Sequence, residues 1–187
     1  MNIAIAGTGY VGLVTAAVLS HIGHNVVCVD IDEQKIKRLN AGESVIYEPG
    51  LDELLTDNKA RLTFTTDSAW AYRRADGSAN LSYIYAVAGE IAHTVIKGCV
   101  VVTKSTVPIG TNNRLQAFID KNKTHDVRIE MVSNPEFLSQ GTAVKDMLGA
   151  SRIVVGTASA HAKEVMARIY KHMDLPIIFT DLCSAEM

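Results

Sequence analysis

Apolar positions in this chain fall into blocks that switch between two habits. Short apolar runs at residues 3–6, 26–29 and 99–103 have the length of strands, the last fully buried, and residues 128–132 read as another strand. Longer stretches with apolar residues at helical spacing lie between them, at residues 11–22, 33–40, 51–57, 81–95, 112–121 and 160–172. Further strands are predicted at 62–65, 152–155 and 177–179, a loop at 41–50, and Asp67 as the N-cap of a segment running to Arg74. Strand and helix signals in alternation predict an α/β fold, a doubly wound and mostly parallel sheet with helices on both faces.

The alternation fails once. Between the segment ending near Arg74 and the helix starting near Leu81 lie only Ala75-Asp76-Gly77-Ser78-Ala79-Asn80. A doubly wound fold places a buried strand there, and two helices in succession leave the sheet one strand short. A strand missing near residues 76–77 is therefore expected.

The first strand runs directly into Gly7-Thr8-Gly9-Tyr10-Val11-Gly12 and a helix, and the second ends at Asp30. That order is the context in which a G-x-G-x-x-G pattern reads as a dinucleotide turn. Gly7 turns the backbone out of the strand, Gly9 leaves room for a pyrophosphate, and Gly12 lets the helix lie close to the sheet. The helix directs its free N–H groups and the positive end of its dipole at the phosphates, with Tyr10 and Val11 in its first turn. Asp30 is placed to accept hydrogen bonds from the adenosine ribose and to repel an added phosphate, which favours NAD over NADP. Lys35, one helical turn further on, partly offsets that repulsion. The expected fold is thus a Rossmann-like NAD-binding domain.

Composition narrows the partners. The 187 residues carry 18 Lys and Arg against 20 Asp and Glu, a net charge of -2. No basic surface for nucleic acid or an anionic membrane is implied, so the partner is expected to be small. Residues 1–22 are apolar but lack a basic segment before them, and no run reaches the length of a membrane span. Cys28, Cys99 and Cys183 are widely spaced, which is expected of buried thiols in the cytoplasm. The six histidines show no ligand spacing, so no metal is expected and they are read as surface or helix-end residues.

Two later loops leave the carboxyl ends of strands, where ligands bind in an open parallel sheet. One is Lys104-Ser105-Thr106-Val107-Pro108-Ile109-Gly110-Thr111, the other Ser133-Asn134-Pro135-Glu136-Phe137-Leu138-Ser139-Gln140-Gly141-Thr142. Taken with G-T-G-Y-V-G-L at residues 7–13, Y-E-P-G-L at 47–51 and R-I-V-V-G at 152–156, they give a set of blocks in fixed order. In these blocks the chain resembles the N-terminal half of the UDP-glucose 6-dehydrogenases, and the resemblance covers residues 1–187. The relatives that oxidise GDP-mannose or UDP-N-acetylmannosamine share the architecture.

The resemblance implies NAD-dependent oxidation of UDP-glucose to UDP-glucuronate, with a cysteine-bound thioester on the way, in an enzyme expected to be a homodimer at full length. It implies that Glu136 is the acid/base glutamate and that Thr106 helps to hold the catalytic water. It also places Ser105, Thr106, Val107 and Gln140 at the cofactor, and Glu136, Phe137 and Leu138 at the sugar nucleotide. None of the three cysteines occupies the block of the family's reactive thiol, which belongs to a later domain with a central helix before it. Gln140 stands where relatives carry a second glutamate, and an amide cannot act as a base there. Other readings stay open from the residues themselves. Glu136 follows a proline at a possible helix start, Ser105 and Thr106 could satisfy backbone groups at a strand end, and Tyr47 and Glu48 could only pin a loop. Another nicotinamide-dependent dehydrogenase and a non-catalytic NAD-binding module are the competing functions.

Overall fold

The computed structural model describes residues 1–68, 71 and 84–187. The chain begins with β1 (Asn2–Ala6), whose last four residues are buried, and turns through the glycines into α1 (Tyr10–His21). β2 (Asn25–Val29) follows, then α2 (Glu33–Asn40), which starts where the Asp32 carboxylate accepts from the Gln34 and Lys35 amides. α3 (Leu51–Asp57) and a short 3-10 turn (Lys59–Arg61) lead to β3 (Leu62–Thr65). The expected segment from Ser68 to Arg74, the junction at 75–80 and the first residues of the helix expected from Leu81 lie largely outside the described residues; that helix is seen as α4 (Ile84–Thr94).

β4 (Cys99–Thr103), α5 (Thr111–Asn122) and β5 (Ile129–Ser133) come next, within two residues of their expected bounds. α6 (Ala143–Leu148) was not expected, because six residues are less than two turns and register no helical period. β6 (Ile153–Gly156) and α7 (Ala160–Tyr170) follow, with the Ser159 hydroxyl capping the Ala162 amide, and the helix end winds into a 3-10 turn (Lys171–Met173). β7 (Ile177–Thr180) precedes α8 (Leu182–Ala185), four residues capped by Asp181 and also not expected.

The strands form two sheets among the described residues, a parallel set in the order β1-β2-β3 and a second in the order β4-β5-β6-β7. Ala4 pairs with Val27 and Val27 with Thr63 in the first; Val101 pairs with Met131 in the second. β6 meets β5 antiparallel at Gly156 and Ser133, and β6 and β7 are parallel. No ladder joins β1 to β4 among the described residues.

What joins the halves is apolar packing on both faces. Ile3 and Ile5 of β1 share one core cluster with Val100 and Val102 of β4 and with Val165, Met166 and Ile169 of α7. Ala4 and Ala6 share the other with Val101, with Ile91 of α4 and with Leu115 and Ile119 of α5. Helices on both sides of the strands make the fold doubly wound, as expected. Packing at the seam is incomplete: Ile3, Ala4 and Ile5 face Val102 and Lys104 across a cavity of about 20 Å³. The buried Thr15 hydroxyl beside it has no hydrogen-bond partner among the described residues.

Two polar groups depart from expectation or confirm it at this level. His24 is buried rather than at the surface, its Nε2 donating to the Ile169 carbonyl at 2.8 Å while Nδ1 faces the N-terminal ammonium at 3.3 Å. Cys28 is buried and Cys99 partly so, all three cysteines are free, and burial pushes the thiols of Cys28 and Cys99 up to about 12.

Candidate cofactor and substrate site

The glycine turn has the three features that a pyrophosphate cradle requires. Gly7 sits at φ +94°, a conformation other residues resist, and its amide donates to the Val29 carbonyl at 2.7 Å. Gly9 caps α1 in an extended conformation, and a Cβ added there would meet nothing within 4 Å among the described residues. At Gly12 an added Cβ would lie 2.1 Å from the Gly7 carbonyl oxygen, so only glycine lets α1 start this close to the strand. Among the described residues no side chain caps the helix, which leaves its first amides open to a ligand.

Asp30 follows β2 directly and is held from two sides. Its Oδ2 accepts from the Thr8 amide at 2.7 Å and the Thr8 hydroxyl at 2.6 Å, and its Oδ1 from the Asp32 amide at 3.1 Å. Partial burial pushes its pKa up, but the two Thr8 bonds, the Asp32 amide and the charge of Lys35 outweigh this and hold the carboxyl below its ordinary value. The charge of Lys35 thus reaches Asp30. Thr8, which fixes the carboxylate to the turn, was not singled out from sequence, since an x position in the motif carries no signal.

The loop after β4 presents Ser105 half-buried, Thr106 exposed and Val107 buried. Glu186 closes its far end, accepting from the amides of Gly110 at 2.5 Å and Asn112 at 2.7 Å. Lys104 is buried before it, its Nζ donating to Asn134 Oδ1 at 3.1 Å, and the same oxygen accepts from the Tyr170 hydroxyl at 2.5 Å. The Asn134 amide nitrogen donates to the Val154 carbonyl at 2.7 Å. Asn134 thus fixes the root of the second loop to three neighbouring elements.

That second loop, 134–142, contains Glu136, Phe137, Leu138 and Gln140. Glu136 does not start a helix: residues 134–139 are irregular, and its Oε2 accepts from the Leu138 amide at 2.6 Å. The helix-dipole reading of this carboxylate therefore has no basis here. Phe137 is exposed, with the Arg152 guanidinium 5.8 Å from its ring centre, and Leu138 packs toward α1 and α3. Glu136, Phe137, Leu138, Lys104 and Arg152 line one cavity of about 50 Å³. The structure brings the three residues expected at the sugar nucleotide together in one cavity, where Lys104 and Arg152 stand with the carboxylates of Glu136 and Asp146. Gln140 is exposed beside Gly141.

The loop is tied to the glycine turn. The Tyr10 hydroxyl donates to Glu48 Oε2 at 2.6 Å, with the Ser139 carbonyl 3.1 Å from the same hydroxyl. Glu48 also accepts from the amides of Gly141 at 2.9 Å and Ala143 at 2.8 Å. Beneath them Leu13, Val14 and Ala17 of α1 pack with Ala143 and Val144 of α6. Tyr10 was expected at the cofactor; the structure turns its side chain to this network and leaves its backbone in the first turn of the helix.

Comparison with known proteins agrees with this geometry. The family model for the NAD binding domain of the UDP-glucose/GDP-mannose dehydrogenase family matches residues 1–174. The UDP-glucose 6-dehydrogenase YwqF of Bacillus subtilis (strain 168) is 43% identical over 202 residues, covering 100% of this chain and 46% of that enzyme. A match of 202 residues against a chain of 187 leaves at least 15 positions with no residue here. A UDP-glucose dehydrogenase from the hyperthermophilic archaeon Pyrobaculum islandicum superposes with a TM-score of 0.93 at 30% identity, over 99% of this chain and 47% of that one. A GDP-mannose dehydrogenase from Pseudomonas aeruginosa, solved as a ternary complex, superposes with a TM-score of 0.92 at 34% identity, over 100% and 48%. The chain spans just under half the length of these relatives. Turn, acid and later loops thus coincide with a matched family, and the chain belongs to the UDP-glucose/GDP-mannose dehydrogenase family, as its NAD-binding domain.

Proposed function

We propose that this domain serves an enzyme oxidising the C6 alcohol of UDP-glucose to the carboxylate of UDP-glucuronate. NAD would supply the acceptor for the two hydrides, and every other task falls to protein groups. The observation that carries the reading is the open space at Gly9 beside an ionised Asp30, with the loop bearing Glu136 fastened to the same turn. Gly7, Gly9, Val11 and Gly12 shape the pyrophosphate seat, and Asp30 grips the ribose. Ser105, Thr106, Val107 and Gln140 border the cofactor, and Thr106 holds the water. Glu136 moves the proton at the sugar end, while Phe137 and Leu138 bound the sugar nucleotide.

The thioester thiol is assigned to a later domain: Cys28 is buried within β2 and Cys99 partly buried within β4, and burial pushes both thiols up, away from the reactive thiolate. A longer homodimeric, cytoplasmic enzyme belongs to the same proposal. So does the missing strand: the edges of β1 and β4, unpaired among the described residues, together with at least 15 unmatched positions, support a loss at the 75–80 junction that weakens the cofactor grip.

Calorimetric titration of the 187-residue chain with NAD and NADP tests the cofactor reading, with at least about tenfold preference for NAD expected. Turnover by the longer enzyme on UDP-glucose against GDP-mannose tests the substrate. The second sugar is the competing reading because of the 34% identity to the Pseudomonas aeruginosa enzyme. Faster oxidation of GDP-mannose would transfer the assignment to it.

A further inference from the structure

We propose that Glu48 is a positioning residue that couples the nucleotide turn to the loop carrying Glu136 and Gln140. The inference rests on the cofactor reading above and gives a role to a residue of the Y-E-P-G-L block that this reading leaves idle. A glutamate that merely pinned its own loop would bond to neighbours in sequence. Glu48 bonds instead to Tyr10, 38 residues before it, and to Gly141 and Ala143, 93 and 95 residues after it. Its side is buried, at 4% exposure. A buried carboxylate must be satisfied, and here three donors from two distant segments satisfy it at once.

The two segments are the ones that matter for the site. Tyr10 is the first residue of α1, whose amides would face the phosphates in the cofactor reading, and the 139–143 segment ends the loop that carries Glu136. Gly141 takes φ +91°, so the loop turns back at the residue that Glu48 holds. Asp146 supports the same turn, its Oδ2 accepting from the Ser139 amide at 2.9 Å and the Thr142 hydroxyl at 2.8 Å. A shift of the first turn of α1 on cofactor arrival therefore reaches the substrate loop through the Glu48 carboxylate, alongside the direct contacts of the Tyr10 hydroxyl with the Ser139 carbonyl at 3.1 Å and the Gly141 amide at 3.2 Å.

Amide hydrogen exchange on the 187-residue chain, with and without saturating NAD, tests this. In the parent chain, exchange across 138–143 is expected to slow on NAD addition. In Glu48→Ala, exchange there should be faster by about tenfold without NAD and insensitive to its addition, while β1 and β5 exchange as before. Glu48→Gln, which keeps one acceptor oxygen, should restore part of the NAD response, which a purely structural role would not. Should Glu48→Ala disturb the strands as well, Tyr10→Phe leaves Glu48 and its bonds to Gly141 and Ala143 in place, removes the hydroxyl's contacts with Glu48, the Ser139 carbonyl and the Gly141 amide, and should still uncouple the loop. Exchange at 138–143 within about twofold of the parent in both Glu48→Ala and Tyr10→Phe overturns the proposal, as does a retained NAD response. Absence of NAD binding to the parent would overturn the cofactor reading, whereas the comparison without NAD still reads the tie itself.

Discussion

A Cβ placed on Gly12 would lie 2.1 Å from the carbonyl oxygen of Gly7, closer than any two such atoms can approach. Gly9, three residues earlier, has open space at the same point. The two glycines should therefore fail in different ways. Gly12→Ala forces the helix off the turn and should cost about 3 kcal/mol in urea denaturation. Gly9→Ala should change stability by no more than about 0.5 kcal/mol yet weaken NAD binding at least tenfold in calorimetry. Equal losses of stability in both variants would contradict this assignment of roles.

Asp30 gives a pH signature as well as an affinity. Its carboxyl is held below the ordinary 3.8, so it stabilises the fold above that pH and loses the contribution as pH falls through the folded value. Asp30→Asn should flatten the acid side of the stability profile below about pH 4, measured by urea midpoints. Asp30→Ala should weaken NAD binding by roughly 10- to 100-fold through loss of charged hydrogen bonds to the ribose. Unchanged affinity in Asp30→Ala would remove the ribose role.

His24 works in the opposite charge sense and at higher pH. Burial lowers its pKa below 6.5; the bond to the Ile169 carbonyl opposes this, while the N-terminal ammonium and His172 reinforce it. The unfolded chain takes up a proton below pH 6.5 that the folded chain refuses, so stability falls as pH drops from 6.5 toward the folded value. The parent should lose urea resistance between pH 7.5 and 5.5, and His24→Gln should lose less over that interval. The same slope in both proteins would show that another group sets it.

Much of this was legible in the chain because local chemistry and tertiary packing agree. The bounds of α2, α3, β3 and β4 follow from an Asp32 cap, a Gly50 at φ +81° before α3, and apolar runs that end abruptly. α6 and α8 were not legible, since their four to six residues are held by contacts from elsewhere: α6 against α1, α8 through Ala185 against Gly156 of β6. Asp30 and the glycines were readable because their partners lie within one strand-turn-helix unit. Glu48 was not, because nothing near it in sequence shows that its partners are Tyr10 and Gly141. His24 read as a helix-end residue because its partner, the Ile169 carbonyl, is 145 residues away.

The seam between the two sheets yields a constructive test. Inserting about 15 residues with one apolar strand pattern between Gly77 and Ser78 should give β1 and β4 a common neighbour and raise the thermal midpoint by several degrees. NAD affinity should rise with it. A midpoint at or below that of the parent, with affinity unchanged, would show that the present seam is already the stable arrangement.

Because β1 and β4 meet only through side chains among the described residues, cooperativity has no backbone bridge to cross there. The three-stranded and four-stranded portions should then open as separate units with distinct free energies, the weaker melting while the stronger persists. A domain of this size built on one continuous sheet melts in a single step; this one is expected to come apart along a line drawn through its own middle.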